Sequence, residues 1–230
     1  MHDLTAILLC GGKGERLRPF TDHSPKPLVP LAGRPILQYL IEQLEAGGLQ
    51  HFVVCTGYKS AAIESFLDQQ VRPRRPVRTV DSGEDAGITD RIRDARKHCL
   101  GPALVCYGDT LANVSIPALQ ARHREAGTAA TVTVHPLRSP FGIVDFDSQG
   151  RVTAFREKPL LPYWLNIGFL LLEPAALALL SEDLDMVGYL SHLTATRQLS
   201  VYRHEGRHLT VNDEKERVAA EAEVVHLFNV

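Results

Sequence analysis

Apolar residues alternate between two spacings through the first half of the chain. Runs rich in β-branched and apolar residues predict strands at residues 5–10, 51–55, 77–80 and 103–107. Apolar residues at helical spacing predict helices over residues 35–46, 60–69 and 89–98. Strands that alternate with helices indicate a doubly wound α/β sheet whose strands are mostly parallel.

The pattern is less regular in the second half. It predicts a helix at residues 115–126, strands at 129–134 and 167–172, helical segments after Pro174 and a helix at 213–225. The segments 143–146 and 152–155 flank the turn residues Asp147-Ser148-Gln149-Gly150, which is typical of an inserted β-hairpin. Because we find no repeat and no low-complexity linker, we expect residues 1–230 to form a single domain.

The charge balance excludes two classes of binding protein. The chain has 25 Lys+Arg against 27 Asp+Glu, a net charge of −2, so it lacks the concentrated positive field of a dedicated nucleic-acid or membrane-surface binder. A short basic cluster, Arg72, Arg74, Arg75 and Arg78, is interleaved with prolines and predicts a solvated loop.

The same composition indicates a cytoplasmic protein. No apolar run approaches the roughly 20 residues of a membrane span, and residues 1–3 carry no basic segment typical of a secretion signal. The four cysteines are single, without a Cys-x-x-Cys pair, which favours reduced thiols. The spacing of His192, His204 and His208 does not match a zinc site, and Trp164 is expected to be a packing residue.

A glycine-rich segment directly follows the first predicted strand. Gly11, Gly12 and Gly14 let backbone amides approach a polyphosphate, while Lys13 and Arg16 add positive charge. The segment is not a Walker loop, because no Gly-Lys-Ser/Thr follows, and Leu17 replaces the last glycine of a dinucleotide fingerprint. We therefore predict an anion-binding site at this edge of the sheet.

This segment and six later blocks resemble one enzyme family. Gly11-Gly12-Lys13-Gly14-Glu15-Arg16-Leu17 and Ser24-Pro25-Lys26-Pro27-Leu28 are similar to the signature of the sugar-1-phosphate nucleotidyltransferases. The further blocks are Gly33-Arg34-Pro35-Ile36, Tyr107-Gly108-Asp109, Phe141-Gly142-Ile143-Val144, Glu157-Lys158-Pro159 and Asn166-Ile167-Gly168. The resemblance implies a Rossmann-like fold, Mg²⁺ as cofactor, and a nucleoside triphosphate and a sugar 1-phosphate as substrates.

The resemblance also implies roles for individual residues. Arg16 would hold the leaving pyrophosphate, Lys26 the phosphates, Asp109 the metal and Lys158 the sugar phosphate; these four are the candidate catalytic residues. The candidate nucleotide-binding residues are Leu9, Gly11, Gly12, Lys13, Gly14, Gly87 and Asp109. The candidate sugar-phosphate-binding residues are Gly142, Glu157, Lys158 and Asn166.

The chain departs from the family at the second metal ligand. Family members usually carry an aspartate near the C-terminus, where this sequence has Asn212 followed by Asp213. Either residue could complete the metal site with Asp109. We favour Asn212, because Asp213 then fits the N-cap of the following helix, with Glu216 as the capping-box partner.

The choice of base and of acceptor has alternatives. Residues 81–91 lack the Leu-Gly-Thr-Gly/Ala pattern of many members, and Thr89-Asp90-Arg91 is more similar to the cytidylyltransferases, which favours CTP. One alternative is a non-catalytic regulatory domain that binds a nucleotide sugar. Another is a cytidylyltransferase acting on a non-sugar phosphate such as phosphocholine. A homo-oligomer is compatible with each of these interpretations.

Overall fold

The computed structural model describes residues 4–72 and 76–228. Arg74 and Arg75 of the basic cluster lie outside the described residues. Arg72 follows a helical turn and pairs with Glu64 and Asp68 at 2.8 and 2.5 Å. Arg78 lies within a strand, so the predicted loop is wrong for this residue, whose exposed side chain nevertheless faces solvent.

The described part of the chain contains thirteen strands and eight α-helices. The strands are β1 (Thr5–Leu9), β2 (Pro30–Leu31), β3 (Arg34–Pro35), β4 (His51–Thr56), β5 (Val77–Asp81), β6 (Ala103–Tyr107), β7 (Thr110–Ala112), β8 (Ala130–Arg138), β9 (Ile143–Phe146), β10 (Val152–Arg156), β11 (Leu160–Leu172), β12 (Leu199–Arg203) and β13 (His208–Thr210). The helices are α1 (Phe20–His23), α2 (Ile36–Ala46), α3 (Ser60–Phe66), α4 (Ile88–Arg96), α5 (Ile116–Ala126), α6 (Pro174–Ala178), α7 (Met186–Ala195) and α8 (Glu214–Phe228).

Seven of these strands form the central sheet, in the order β12-β8-β11-β6-β1-β4-β5. Within the described residues, β11 alone runs antiparallel to its neighbours, β6 and β8. The predicted mostly parallel α/β sheet is therefore confirmed. Because β1 lies between β6 and β4, with β6 reached after the chain has already passed to β5, the chain reverses direction across the sheet beside β1.

The two faces of the sheet are covered by two apolar cores. Ala6 and Leu8 of β1 point into the core formed with α2, α3, α5 and α8, whereas Ile7 points into the core with α4, α6 and α7. Alternate residues of a strand point to opposite faces, so a continuous apolar strand covered by helices on both sides is the doubly wound arrangement. Helix α2 illustrates the match to sequence, since its Leu40 and Leu44 are fully buried.

The structure confirms the predicted hairpin but differs from the predicted bounds of several other elements. The predicted hairpin is confirmed as β9 and β10, with Asp147 Oδ1 accepting bonds from the amides of Gln149 and Arg151, both at 2.9 Å. Strand β11 begins seven residues before its predicted start, and β12 lies in a segment expected to be helical. Helix α3 ends at Phe66 and continues as a wider π-helical turn, Leu67–Val71.

The cysteines are free thiols, as predicted. Burial raises the pKa of the Cys55 thiol to about 12, so this side chain acts as a small apolar core residue. Among the described helices, none combines the length and apolar character needed to cross a bilayer.

Candidate active site

The glycine-rich segment after β1 turns sharply at Gly14. This glycine has φ +63°, and a Cβ there would lie 3.0 Å from both Lys26 Cβ and Thr21 Cγ2. The turn is held from the far side, because the Thr21 hydroxyl donates to the Gly14 carbonyl at 3.0 Å and the Tyr58 hydroxyl donates to the Thr21 carbonyl at 2.9 Å. The loop therefore has a fixed conformation that leaves its cavity side open.

Lys26 is a buried lysine, only 8% exposed. It lies between Pro25 and Pro27 at the start of a short 3₁₀ turn, Lys26–Leu28, and the fixed φ of the two prolines limits the directions its side chain can take. Its ammonium group donates to Asp109 Oδ2 at 2.6 Å and to Asn212 Oδ1 at 3.1 Å. Three candidate residues from distant parts of the sequence thus meet at one nitrogen atom.

Two short strands bring Asn212 to Asp109. Strand β7 directly follows Asp109, and it pairs antiparallel with β13, which puts Thr110 opposite Thr210. The amide of Val211 then donates to the Asp109 carbonyl at 3.3 Å. Arg16 also reaches this point and donates to Asn212 Oδ1 at 3.1 Å. The β7–β13 pair is therefore the element that assembles this end of the site.

These residues surround a cavity of about 540 Å³. Nine predicted site residues line it, namely Leu9, Gly11, Gly12, Gly14, Arg16, Lys26, Gly87, Asp109 and Asn212. Residues 82–87, between β5 and α4, are called the base loop because the family resemblance assigns base recognition to this stretch. Its residues Glu84 and Ala86 line the cavity as well, together with Ile88, Arg91 and Tyr107, none of which was singled out as a site residue from the sequence. Lys13 points elsewhere, since its ammonium pairs with Asp85 at 2.8 Å.

Asp213 follows the cavity-lining Asn212, but its carboxylate caps helix α8. Its Oδ1 accepts a bond from the Glu216 amide at 2.8 Å, which makes it the N-cap of α8. The Glu216 carboxylate accepts a hydrogen bond from the amide of Asn212 at 2.9 Å rather than from that of Asp213, so the expected capping box is displaced by one residue. The cap holds Asn212 by its backbone while its side chain faces the cavity.

Burial and an ion pair shift the pKa values of three side chains at or beside the cavity. Burial, together with the nearby Asp109 carboxylate, raises the pKa of the Tyr107 hydroxyl. The exposed Lys13–Asp85 pair raises the pKa of the lysine and lowers that of the aspartate, and it links the glycine-rich loop to the base loop.

Asp109 and Asn212 suit a hard divalent cation. Both present oxygen atoms to the cavity, and the bond of each to the Lys26 ammonium shows that a positive charge is accepted between them. In residues 4–72 and 76–228 no group of three or more His, Cys, Asp or Glu side chains is arranged to hold a metal. Mg²⁺ commonly takes one or two protein oxygens and completes its shell with phosphate and water, so the two residues fit that ion.

The four predicted sugar-phosphate residues lie outside this cavity lining. Gly142 and Glu157 are neighbours, because a Cβ on Gly142 would lie 3.1 Å from Glu157 Oε2. Asn166 Oδ1 accepts a bond from the Gly168 amide at 2.9 Å. Gly168 in turn packs on the Tyr107 ring that lines the cavity.

The hairpin side of the site is open to solvent. Lys158 has φ +44°, its side chain is exposed, and its carbonyl accepts a bond from Arg138 at 2.9 Å. Trp164 is 40% exposed, with the Arg203 guanidinium 5.1 Å from its ring centre. The structure therefore brings together the predicted nucleotide residues other than Lys13, and leaves Glu157, Lys158 and Asn166 exposed outside the cavity lining.

Three histidines form a cluster near β13. The ring centres of His204 and His208 lie 6.0 and 5.2 Å from that of His135. His208 Nε2 is buried without a hydrogen-bond partner, and burial together with the two neighbouring rings lowers the pKa of His208 to about 4. These side chains pack the end of the β7–β13 pair.

A model of the nucleotidyl transferase family matches residues 5–211. The chain belongs to this family. Its predicted membership of the sugar-1-phosphate nucleotidyltransferases is confirmed, and it is an enzyme of that transferase class. The chain is 28% identical to the glucose-1-phosphate cytidylyltransferase of Salmonella typhi, over 78% of this chain and 79% of that protein.

Other family members use other nucleotides. The mannose-1-phosphate guanylyltransferase of Mycobacterium tuberculosis is 34% identical over 68% of this chain, which spans 45% of that protein. Among solved structures, HddC from Yersinia pseudotuberculosis has a TM-score of 0.76 at 20% identity, covering 96% of this chain and 99% of that one. This likeness confirms the fold.

Proposed function

We propose that this chain joins a sugar 1-phosphate to CTP and releases pyrophosphate. A phosphate oxygen of the sugar phosphate attacks the α-phosphorus of the nucleotide. The bond from that phosphorus to the bridging oxygen breaks, and pyrophosphate leaves in line. The observation that carries the proposal is the meeting of Lys26, Arg16, Asp109 and Asn212 at one end of the glycine-lined cavity.

The cationic side chains answer the main physical difficulty of this reaction. Two anions must approach each other, and fixed positive charges that face the developing charge are usually the largest catalytic contribution. Lys26 is buried and directed by two prolines, so it can hold phosphate oxygens during transfer without a large loss of side-chain freedom. Arg16 is beside it and suits the leaving pyrophosphate, because a guanidinium can bind two oxygens at once.

Asp109 and Asn212 are the residues that would hold Mg²⁺. When bound, this ion would supply positive charge to the phosphates of the nucleotide. Asn212 contributes a neutral oxygen where the family resemblance implies a carboxylate, so Asp109 and Asn212 together offer the ion a single negative ligand. Since Asp213 is used as a helix cap, we assign the second position to Asn212.

The sugar phosphate is assigned to Gly142, Glu157, Lys158 and Asn166. Gly142 and Glu157 adjoin each other, and Asn166 is connected to the cavity through Gly168 and Tyr107. Lys158 would neutralise the phosphate, and the Glu157 carboxylate would accept bonds from sugar hydroxyls. The side chains of Glu157, Lys158 and Asn166 are exposed, which leaves them accessible to a sugar at the mouth of the nucleotide cavity.

CTP is favoured by the base loop and by one group of relatives. The segment Thr89-Asp90-Arg91 lies in the first turn of helix α4, where Arg91 lines the cavity, and the Salmonella typhi relative is a cytidylyltransferase. We also propose that residues 1–230 act as one domain in the cytoplasm, because strands from both halves share one sheet and the buried cysteines are free thiols.

One observation favours a second function. The neutral Asn212 at the metal position would suit a regulatory domain that binds a nucleotide sugar without turning it over. The test is to incubate the protein with each of CTP, UTP, GTP and dTTP, against several sugar 1-phosphates and phosphocholine, in Mg²⁺. Pyrophosphate release fastest with CTP and a sugar 1-phosphate is expected. Tight nucleotide-sugar binding without pyrophosphate release would contradict the catalytic proposal, and turnover of phosphocholine would contradict the sugar acceptor.

A further inference from the structure

Arg91 is a buried arginine whose partners are backbone carbonyls. Its side chain extends from the first turn of α4 and the residue is 4% exposed. The guanidinium donates to the carbonyl of Thr56, to that of Gly11 at 3.2 Å and to that of Gly83 at 2.8 Å. A longer bond reaches the Glu84 carbonyl at 3.4 Å.

These carbonyls belong to three separate segments around the cavity. Gly11 is part of the glycine-rich loop, Thr56 ends β4, and Gly83 and Glu84 begin the base loop. The Arg91 guanidinium therefore connects the glycine-rich loop, assigned to the phosphates, with the base loop, assigned to the base. Lys13 and Asp85 make a second, exposed link between the same two loops.

Two glycines leave the space that the guanidinium fills. A Cβ on Gly11 would lie 2.0 Å from Arg91 Nη1, and a Cβ on Gly57 would lie 2.7 Å from the same atom. Such contacts are far below van der Waals distance, and a Cβ would also lie 2.7 Å from the Thr56 carbonyl oxygen at Gly11 and 2.6 Å from the Gly83 carbonyl oxygen at Gly57. Both positions are therefore closed to larger residues. The glycines and the arginine form one packed unit beneath the cavity.

The chemistry of arginine suits this arrangement. Burying a charge is costly unless its hydrogen bonds are made, and an apolar side chain would fill the same space at lower cost. A guanidinium has five donors in a rigid plane, so it can bond several fixed acceptors together, which the single ammonium of a lysine does less well. The bonds from Arg91 to Gly11 and Gly83 fix the distance between the glycine-rich loop and the base loop, and this offsets the cost of burying the guanidinium.

We propose that Arg91 is a positioning residue that sets the spacing between the glycine-rich loop and the base loop, and thereby the affinity and selectivity for the base. The inference rests on the proposed function, since it assigns these two loops to the two halves of a nucleotide. Arg91 acts through the carbonyls of Gly11, Thr56 and Gly83. Its loss should therefore weaken nucleotide binding and leave the sugar-phosphate residues unaffected.

The test compares Arg91→Met and Arg91→Lys with two controls on the same helix. Ile92→Ala removes a fully buried apolar side chain and is the control for a loss of stability in the Arg91 variants. Arg93→Met removes an arginine that pairs with Asp90 near the surface and is the control for the loss of a guanidinium. For each variant we would measure the melting temperature, the Kd for CTP, UTP and GTP by calorimetry, and kcat and KM for both substrates.

For Arg91→Met we expect at least a tenfold rise in Kd and KM for CTP, a smaller preference for CTP over UTP and GTP, and an unchanged KM for the sugar 1-phosphate. Arg91→Lys should recover part of the affinity. If Ile92→Ala, at an equal loss of melting temperature, raises the KM for CTP as much, the role is only structural and the proposal is wrong. Should Arg91→Met fail to fold, equal CTP affinity of Arg91→Lys and wild type would also overturn it.

The proposed function and the role of Arg91 can fail separately. A wild-type protein that binds CTP but releases no pyrophosphate contradicts the reaction, while the calorimetric comparison still reports on Arg91. If the wild-type protein binds none of the three nucleotides, both the proposed function and the role of Arg91 are wrong.

Discussion

Lys26 holds the position next to Asp109 that a metal ion would need. Replacing it by methionine keeps the length of the side chain and removes the ammonium that lies 2.6 Å from Asp109 Oδ2. A divalent ion entering the wild-type site without nucleotide must first break this bond. We therefore expect Lys26→Met to bind Mn²⁺, used as a paramagnetic substitute for Mg²⁺, more tightly than the wild-type protein.

The size of the effect follows from the contact. At 2.6 Å, two unit charges attract by about 6 kcal/mol at an effective dielectric constant of 20. Most of this is offset by the cost of removing both groups from water, and a hydrogen bond to a charged group contributes a net of about 1.5–3 kcal/mol. Since about 1.4 kcal/mol is a factor of ten, the Kd for Mn²⁺ should fall about 10- to 100-fold.

Electron paramagnetic resonance of free Mn²⁺ measures this Kd without any turnover. Lys13→Met is the matched control, because it removes an ion pair of 2.8 Å whose side chains are both exposed and away from Asp109. It should leave the Kd unchanged. Adding Asp109→Asn to Lys26→Met should remove the gain. An equal or higher Kd in Lys26→Met than in the wild-type protein would refute the idea that the lysine and the metal compete.

Other substitutions test the remaining assignments. Arg16→Ala should lower kcat about 100-fold or more, as expected for a lost charge partner of the transition state, and a change confined to the KM of the sugar phosphate would contradict its role. Lys158→Ala should raise the KM of the sugar 1-phosphate and spare the Kd of CTP; equal losses would argue against the separate sugar half. Asp213→Ala should cost about 1 kcal/mol in urea denaturation by removing the cap of α8 and leave the Mg²⁺ requirement almost unchanged, whereas Asn212→Asp should lower that requirement in a rate titration. The pKa of His208 is lowered to about 4 in the folded protein, so its contribution to stability is present above pH 6.5 and is lost as the pH falls toward 4. His208→Phe should thus lose less stability than the wild-type protein between pH 7 and 4.5 in urea denaturation, and equal losses would contradict the shift.

The elements with long regular patterns were predictable from the sequence. Helix α2 has apolar residues at helical spacing, the strands β1 and β6 are short apolar segments, and the order of such elements indicates the parallel sheet. The strands β7 and β13 have three residues each, too few to show an alternation. They form because they pair with each other, which is a property of the tertiary structure.

Some residues of the candidate site were likewise predictable from the sequence, and others were not. The family motifs, two near the glycine-rich loop and one at Tyr107-Gly108-Asp109, indicated Arg16, Lys26 and Asp109, and the spacing of a helix cap indicated Asn212 over Asp213. The partners of Arg91 could not be predicted, because they are backbone carbonyls and carry no signal in residue type. The pairing of Lys13 with Asp85 was missed for a similar reason, since a lysine in a phosphate loop suggests a phosphate partner.

The β7–β13 pair has a consequence for synthesis of the chain. The bond between Lys26 and Asn212 joins residues 186 positions apart, so a ribosome-bound chain that ends before β13 has a glycine-rich loop but no closed site. Contacts of such long sequence separation form late in folding, because the entropy of closing the loop must be overcome first. Nucleotide that bridges the two ends would bind only the completed chain and would favour it by mass action. The affinity for substrate should then also protect the newly made protein from proteases that attack its unclosed form.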